Sequence, residues 1–425
     1  MMVDRSLTPG FEEVQNVNLL DYDLRQLSCG VPVYVFNAGS QDVVSLEILF
    51  DAGSWNQSKP FIASSTSALL KEGTAKYSSL QMNEAIDFYG SFLQTDMSKD
   101  SASIALYALN KQLDHVLPYL TEVLLNPVFL ESELKTHLAR VEQQFVVNQQ
   151  KNSTIARREF LNVLYGDNHP YGKKAEREYF KQVERDDLAA FWSKSYTAKN
   201  CKVFLSGKIT DEVFQAIDNA VLFPISGIET VNQKYSVQSS KQIKHYTKKI
   251  DSVQSAIRIG ERVIGKSHPD FAKLQVVNTI LGGYFGSRLM SNIREDKGFT
   301  YGIGSFIAPM AHDCYFGIST EVGIDVTQKA IDEIYKELEI LRTELVSEGE
   351  LRLVKSYLMG ELLKSVDGPF AVAERWKGMI LFGLDKSYFN GLIQTITTIT
   401  PQEVLEIAVK YLDISDLYEV VVGVK

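Results

Sequence analysis

The 425-residue chain contains one pattern of segments twice, in the same order. Residues 61–73 resemble 271–283, residues 126–145 resemble 343–362, and the apolar run at 203–207 resembles the one at 420–423. The first pair is 210 positions apart and the second 217, a drift that one loop insertion would produce. Three similar pairs in one order predict that the chain folds as two copies of one domain.

Each copy is predicted to be an α+β unit, because strand-like runs precede long amphipathic segments. Residues 44–50 and 255–263 are rich in β-branched and apolar side chains, which is typical of strands. Apolar side chains recur at helical spacing in both copies, at Leu113, Leu117, Leu120 and Leu124 and again at Ile331, Ile334, Leu338 and Leu341. Since each helix stripe needs an apolar surface to cover, we predict a sheet with helices packed on one side.

A polar stretch at 224–242 contains Gly and Ser and has no helical stripe, which indicates a linker. We therefore predict an N-terminal domain at 1–223 and a C-terminal domain at 243–425. Two similar domains joined in this way can face each other like a clamshell.

Composition excludes several classes of function. The net charge of −9 argues against nucleic-acid binding, which needs a basic face. The sequence has no apolar run of about 20 residues, so we expect no membrane span. Cys29, Cys201 and Cys314 are far apart and odd in number, which favours free thiols in a reducing compartment. With no apolar signal segment at the start, we expect a cytoplasmic protein.

Four short segments carry a family resemblance: DAGSW at 51–55, LLKEGT at 69–74, NPVF at 126–129 and HPYG at 169–172. Their order resembles the pitrilysin/insulinase family of zinc peptidases, in the short two-domain form of mitochondrial processing peptidase subunits. The resemblance covers nearly the whole chain. It implies an α+β fold of two homologous domains in a clamshell, each a mostly antiparallel sheet covered by helices (the LuxS/MPP-like metallohydrolase fold).

The resemblance also shows a degenerate metal site. In active relatives, an HxxEH motif on the first helix supplies two zinc ligands and a Glu that activates water. Here the matching positions hold Ser64, Ser67 and Ala68, and the third ligand position falls near Gln143 or Gln144. No histidine lies between 62 and 80, so shifting the alignment does not restore the motif. We predict that this chain binds no catalytic zinc.

A second signature is retained. Active relatives contribute an Arg and a Tyr seven residues later from the second domain, and these positions match Arg294 and Tyr301. Leu289 and Ile293 are four apart, as on the buried side of a helix that Gly298 can end through a left-handed cap. Arg294 then leaves the helix end and Tyr301 begins the next strand, where the pair could bind a peptide carbonyl. The alternative is that both are ordinary surface or strand residues.

The segment that binds peptide by strand addition in active relatives corresponds to residues 92–98. This segment lacks the Asn-Ala-x-Thr usual there, which weakens the inference. Strand addition depends mainly on backbone groups, so it stays open.

Two functions follow from these observations. The first is a non-catalytic, substrate-binding subunit of a two-chain zinc peptidase, inactive alone and supplying Arg294 and Tyr301 to a partner. That partner would be a chain of the same family that carries HxxEH and the zinc. The alternative is a metal-free peptide-binding or scaffold protein of the same fold, and a homodimer is open in either case.

Overall fold

The computed structural model describes residues 14, 16–221, 223 and 233–425, which form two sheets surrounded by helices. The strands are β1 (Asp23–Gln26), β2 (Pro32–Asn37), β3 (Val43–Phe50), β4 (Phe92–Met97), β5 (Ala102–Leu109), β6 (Cys201–Gly207), β7 (Lys244–Lys248), β8 (Gln254–Arg262), β9 (Ile303–Pro309), β10 (Cys314–Gly323) and β11 (Tyr418–Gly423).

The α-helices are α1 (Ile62–Leu69), α2 (Ser79–Phe88), α3 (Leu113–Leu125), α4 (Glu131–Asn148), α5 (Asn152–Tyr165), α6 (Arg185–Ser195), α7 (Asp211–Ala220), α8 (Phe271–Asn278), α9 (Thr327–Thr343), α10 (Glu348–Lys364), α11 (Pro369–Ile380), α12 (Lys386–Thr398) and α13 (Pro401–Tyr411). Two π-helical segments, Thr279–Gly283 and Met290–Asp296, follow α8. Short 3₁₀ turns lie at Ser54–Asn56, Asn110–Gln112, Arg177–Gln182, Ala198–Asn200 and Ile324–Val326.

The second sheet has the topology of five of the six strands in the first sheet. The first has the order β1-β2-β6-β3-β5-β4 and the second β7-β11-β8-β10-β9. In each, one pair is parallel, β2 with β6 and β7 with β11, and the other neighbours are antiparallel. The predicted α+β fold with mostly antiparallel sheets is confirmed.

The internal repeat is structural as well as sequential. α4 begins at residue 131 and α10 at 348, while β6 begins at 201 and β11 at 418, so both pairs are 217 positions apart. Gly90 and Gly298 occupy equivalent places before β4 and β9, with φ of 61° and 64°. A left-handed backbone here favours glycine, so both copies end the preceding helical segment in the same way.

Each sheet is covered on one face by helices of its own half. The predicted apolar stripes of α3 and α9 are buried, with Leu120 and Leu338 at 1% and 0% exposure. The side chains of β3 that alternate with Glu47 belong to the first core, among them Leu46 and Ile48. In the second half, Ile257 and Ile259 of β8 belong to the core of the second sheet.

The opposite face of each sheet carries a helix from the other half, which the sequence did not predict. α5 of the first half packs on β8 and β11, and its Ala156 and Phe160 share a core with Ala256 and Val420. In return, α11 of the second half packs on β2 and β6 of the first sheet. Both faces of each sheet are therefore apolar in part, and the prediction of helices on one side was incomplete.

Polar contacts reinforce this exchange. The indole nitrogen of Trp376 on α11 donates to the Leu20 carbonyl at 2.8 Å. Lys377 Nζ lies 2.7 Å from a carboxylate oxygen of Glu47 on β3, with both side chains mostly buried. The two halves therefore pack as one body over these contacts.

The tips of the β4–β5 and β9–β10 hairpins meet between the halves. The Asp100 carboxylate accepts hydrogen bonds from the Tyr171 hydroxyl at 2.5 Å and from the Ala311 backbone N–H at 2.9 Å. The rings of Trp55 and His312 stack with centroids 3.8 Å apart. Equivalent loops of the two copies are thus fixed to each other.

Residues 224–232 of the predicted linker lie outside the described residues. The described part of the linker lies against the end of α5. The Gln238 N–H donates to the Tyr165 carbonyl at 3.1 Å, and the Ser240 N–H donates to the Val163 carbonyl at 2.8 Å. The division at 1–223, 224–242 and 243–425 stays a prediction.

Candidate functional site

The positions that match the metal motif lie on α1, and their side chains bond to the backbone. The Ser64 hydroxyl donates to the Phe61 carbonyl at 3.1 Å. Ser67, which is 3% exposed, donates to the Asp96 carbonyl on β4 at 3.3 Å. Ala68 has no donor atom to offer a metal. At the position of the general base in active relatives, this chain has Ser67, whose hydrogen bond joins α1 to the edge strand β4.

The third ligand position falls on α4, where Gln143 and Gln144 are both exposed. The Gln144 amide donates to the Asn148 side chain at 3.2 Å, along its own helix. Zinc in proteins is held by thiolate, imidazole and carboxylate groups. The serine hydroxyls, the alanine and these two amides do not form such a set, so the residues present do not fit a zinc ion.

No other metal site takes its place in the described part of the chain. Over residues 14, 16–221, 223 and 233–425, no three His, Cys, Asp or Glu side chains gather in the way a metal ion requires. His169 is 3% exposed, and its Nδ1 accepts the Tyr171 backbone N–H at 3.2 Å. This histidine is held by its own loop, as its place in the HPYG segment indicated.

Arg294 lies in the π-helical segment Met290–Asp296, whose inward side is anchored by Leu289 and Ile293, both at 0% exposure. Its guanidinium carbon is 4.7 Å from the centroid of the Phe285 ring, and the group approaches Glu295 only to 3.8 Å. The side chain is 34% exposed. One face of the guanidinium is therefore supported by an aromatic ring, while its N–H donors remain accessible.

Tyr301 is 95% exposed, although the backbone around it is fixed. The Thr300 hydroxyl lies 3.0 Å from the Gly302 carbonyl and 2.8 Å from the Glu321 carbonyl, and it also contacts the Thr320 hydroxyl at 3.0 Å. Our expectation that Tyr301 begins a strand was wrong by two residues, because β9 starts at Ile303. The stiff turn holds the phenol out from the surface.

The structure places Arg294 and Tyr301 on either side of the same helix end, at Gly298. Within the described residues, no hydrogen bond or ring contact joins the two side chains. Tyr301 instead lines a cavity of about 290 Å³ together with Arg258 and Glu321 of the second sheet and Ser153 of α5. This cavity is formed by both halves of the chain.

A second cavity, of about 400 Å³, lies beside α1 and the end of β4. Ser64 and Trp55 line it together with three lysines, Lys59, Lys99 and Lys173. Lys59 is paired with Asp187 at 2.9 Å. The place of the degenerate metal motif therefore opens onto a positively charged cavity.

Lys99 lines the second cavity and Arg258 the one beside Tyr301, and the exposed Arg157 lies within electrostatic range of both. Burial lowers the pKa of Lys99, and the nearby Arg157 lowers it further. Burial likewise lowers the pKa of Arg258, which also lies near Arg157. Among the described residues, none of the three has a carboxylate within 4.0 Å. The sequence does not predict this group, because residues 99, 157 and 258 share no motif and lie on segments that tertiary packing alone brings near one another.

These features define a class: a two-domain protein with the architecture of a zinc peptidase, whose metal-binding positions hold other residues. The family comparisons agree. The model for insulinase (peptidase family M16) matches residues 33–174, and the model for the peptidase M16 inactive domain matches residues 182–358. The chain belongs to peptidase family M16, the insulinase family, and the findings support a non-catalytic member of it.

Curated relatives match over most of their length. The chain is 22% identical to an uncharacterized zinc protease, YmxG, of Bacillus subtilis, over 86% of this chain and 90% of that protein. It is 23% identical to a Helicobacter pylori protein described as the non-peptidase homolog YmxG, over 84% of this chain and 83% of that protein. The family thus includes relatives named as proteases and one named as a non-peptidase.

Solved structures share the fold. A peptidase M16 inactive domain from Pseudomonas fluorescens has a TM-score of 0.87 at 23% identity, covering 96% of this chain and 99% of that one. A structure described as a protease from Helicobacter pylori has a TM-score of 0.86 at 17% identity, covering 96% and 100%. These similarities establish the two-domain architecture.

The helices of the described residues are too short or too polar to cross a bilayer.

Proposed function

We propose that this chain is the non-catalytic, substrate-binding subunit of a two-chain zinc peptidase. A partner chain of the same family supplies HxxEH and the zinc, and this chain supplies Arg294 and Tyr301 to the partner's site. The resulting heterodimer acts in the cytoplasm, and the chain has no peptidase activity alone.

The observation that carries the proposal is the exposure of Tyr301. A phenol that is 95% exposed buries almost none of its apolar ring, so it contributes little to the stability of the isolated chain. The surrounding turn is nevertheless fixed by the Thr300 hydrogen bonds. A fixed backbone that presents an unused side chain fits a residue whose contacts are made with another molecule.

The edge strand β4 supports peptide binding within the same complex. β4 ends the first sheet, pairing with β5 on one side, and no described strand pairs with its other side. Ser67 of α1 contacts the Asp96 carbonyl, and Lys71, two residues after α1, contacts the Leu93 carbonyl. The remaining backbone groups can take up an extended peptide by strand addition.

The first experiment is to purify the tagged chain from its native cell extract and identify what copurifies by mass spectrometry. We expect a stoichiometric chain of the same family that carries an intact HxxEH motif. The pair should then be reconstituted and assayed for peptide cleavage, with each chain assayed alone as a reference.

Variants of the retained pair test its role in the reconstituted complex. Arg294→Ala and Tyr301→Phe should each lower kcat by about a hundredfold, the loss typical of removing one donor to a developing oxyanion, while the complex still assembles on size exclusion. Arg352→Ala and Tyr119→Phe are the controls, since Arg352 lies exposed on α10 and Tyr119 is half-buried on α3. Wild-type turnover in the Arg294 and Tyr301 variants would contradict the proposal.

A metal-free peptide-binding or scaffold protein is the second candidate. The positive cavity beside α1 favours it, because this cavity can bind a ligand with no metal and no partner. Recovery of the chain alone, as a homodimer or with unrelated proteins would favour this function over the split peptidase.

A further inference from the structure

Two half-buried cations, Lys99 and Arg258, and the exposed cation Arg157 lie on segments where the two halves pack together. Lys99 follows β4 in the first half, Arg157 lies on α5, and Arg258 lies on β8. Arg258 lies on the side of β8 that α5 covers, because the alternating residues Ile257 and Ile259 belong to the core on the opposite face. Because Arg157 lies within electrostatic range of both Lys99 and Arg258, the three side chains form a positive row in a chain whose net charge is −9.

Asp100 lies near Lys99 and Glu321 near Arg258, where each offsets part of the positive charge without forming an ion pair. Both Asp100 oxygens accept hydrogen bonds, from the Tyr171 hydroxyl and the Ala311 N–H. Glu321 shares a cavity with Arg258 but forms no ion pair with it within 4.0 Å. The Lys99 ammonium donates a hydrogen bond to the Pro170 carbonyl oxygen at 3.4 Å. Lys99 and Arg258 are half-buried and form no ion pair among the described residues, which is costly, and a bound anion would lower this cost.

The row also connects the two peptide-binding features described above. Lys99 comes two residues after the last residue of β4, and it lines the cavity that contains Ser64. At the other end, Arg258 lines the cavity that contains Tyr301. A peptide added to the edge of β4 would reach Lys99 at the end of that strand and then pass toward Arg258 and Tyr301.

We propose that Lys99, Arg157 and Arg258 bind the carboxylates of a peptide held between the halves, so that this chain selects acidic segments. The proposal rests on the peptide-binding role proposed above, but it needs neither the partner chain nor its zinc. Ammonium and guanidinium groups bind carboxylates through charge-assisted hydrogen bonds, and guanidinium can do so with two parallel bonds. The carboxylates can come from Asp and Glu side chains or from a peptide C-terminus.

The test measures binding of labelled peptides to the purified chain by fluorescence anisotropy. The probes are a short unstructured peptide rich in Asp and Glu with an amidated C-terminus, its Asn and Gln counterpart also amidated, and that neutral peptide with a free C-terminus. A Lys-rich peptide is the opposite-charge control. We expect the acidic peptide to bind best and to weaken as salt is raised, and binding of the free-acid neutral peptide would identify the C-terminus as a second carboxylate source.

Substitutions assign the binding to the row. Lys99→Gln, Arg157→Gln and Arg258→Gln should each weaken acidic-peptide binding by about tenfold, which corresponds to about 1.4 kcal/mol. Lys329→Gln, at an exposed position on α9, is the matched control and should bind as the wild type does. Circular dichroism and urea unfolding identify any variant that is not folded. If a variant does not fold, the salt dependence of acidic-peptide binding to the wild-type chain still tests the proposal.

Equal binding of the acidic and the neutral amidated peptides would overturn the proposal, as would a preference for the Lys-rich peptide or unchanged binding in all three variants. Because the assay uses the chain alone, these outcomes are independent of whether Arg294 and Tyr301 serve a partner. Failure of the cleavage experiment with intact acidic-peptide binding would leave this inference standing and remove only the split peptidase.

Discussion

The contact between Lys377 and Glu47 gives a direct test of how the two halves are held together. Lys377 lies on α11 of the second half and Glu47 on β3 of the first, with the ammonium 2.7 Å from the carboxylate. Their side chains are 17% and 16% exposed. Lys377→Met keeps the length of the side chain and leaves the Glu47 carboxylate without its partner across the seam.

The expected loss follows from the burial of the pair. Removing one partner of a fully buried ion pair costs about 3–5 kcal/mol, whereas exposed pairs contribute about 0–1 kcal/mol. About one sixth of each side chain remains exposed, so we expect Lys377→Met to lower the free energy of unfolding by about 2–4 kcal/mol. Adding Glu47→Leu removes the unpaired charge, so the double variant should return to within about 1 kcal/mol of the wild type.

Urea unfolding followed by tryptophan fluorescence and far-ultraviolet circular dichroism measures both quantities. Because α5 and α11 are exchanged between the halves, we expect the two probes to give one coincident transition. Lys336→Met is the control, because Lys336 is 61% exposed and its ion pair with Glu333 is long, at 3.8 Å. This substitution should change the free energy of unfolding by less than about 0.5 kcal/mol. A Lys377→Met loss as small as that of the control, or a double variant as unstable as the sum of the single ones, would refute the reasoning.

Three further changes test other parts of the structure. Burial, with Asp416 and Asp413 nearby, raises the pKa of Glu261 to about 8. The native state therefore retains a proton that the unfolded chain loses, and stability falls as pH rises from about 4.5 to 8. In thermal melts across pH, Glu261→Gln should remove this fall and be more stable by roughly 1–2 kcal/mol above pH 8, a figure reduced for partial exposure. Ser67→Ala loses the hydrogen bond to β4 and should cost about 0.5–1.5 kcal/mol in urea unfolding, and no loss would mean that this bond is not stabilising. Gly207→Ala should cost about 3 kcal/mol or more in the same assay, since φ is +123° and the new Cβ would lie 2.1 Å from the Val43 carbonyl oxygen. Near wild-type stability there would show that the strand end can shift.

Much of the fold was predictable because its signals are local. The spacing of Ile331, Ile334 and Leu338 predicts a helix with one apolar face, and all three are buried in α9. Gly298 predicts a left-handed helix end, and its φ of 64° agrees. The repeat predicts two similar sheets, and the offset of 217 positions persists between their elements. The sequence motif identified Arg294 and Tyr301, but it did not predict the Phe285 ring against Arg294 or the cavity beside Tyr301.

The sequence by itself determined what this chain lacks at one site and what it contains twice. Ser64 and Ala68 have no imidazole group in any fold, so the loss of the metal motif is evident from the sequence alone. Only the tertiary structure decided that α5 and α11 pack on the sheets of the opposite halves, and that Arg157 comes within electrostatic range of Lys99 and Arg258. The physical reason is that periodicity records which face of a segment is apolar, while the partner of that face is chosen by packing between residues far apart in the chain.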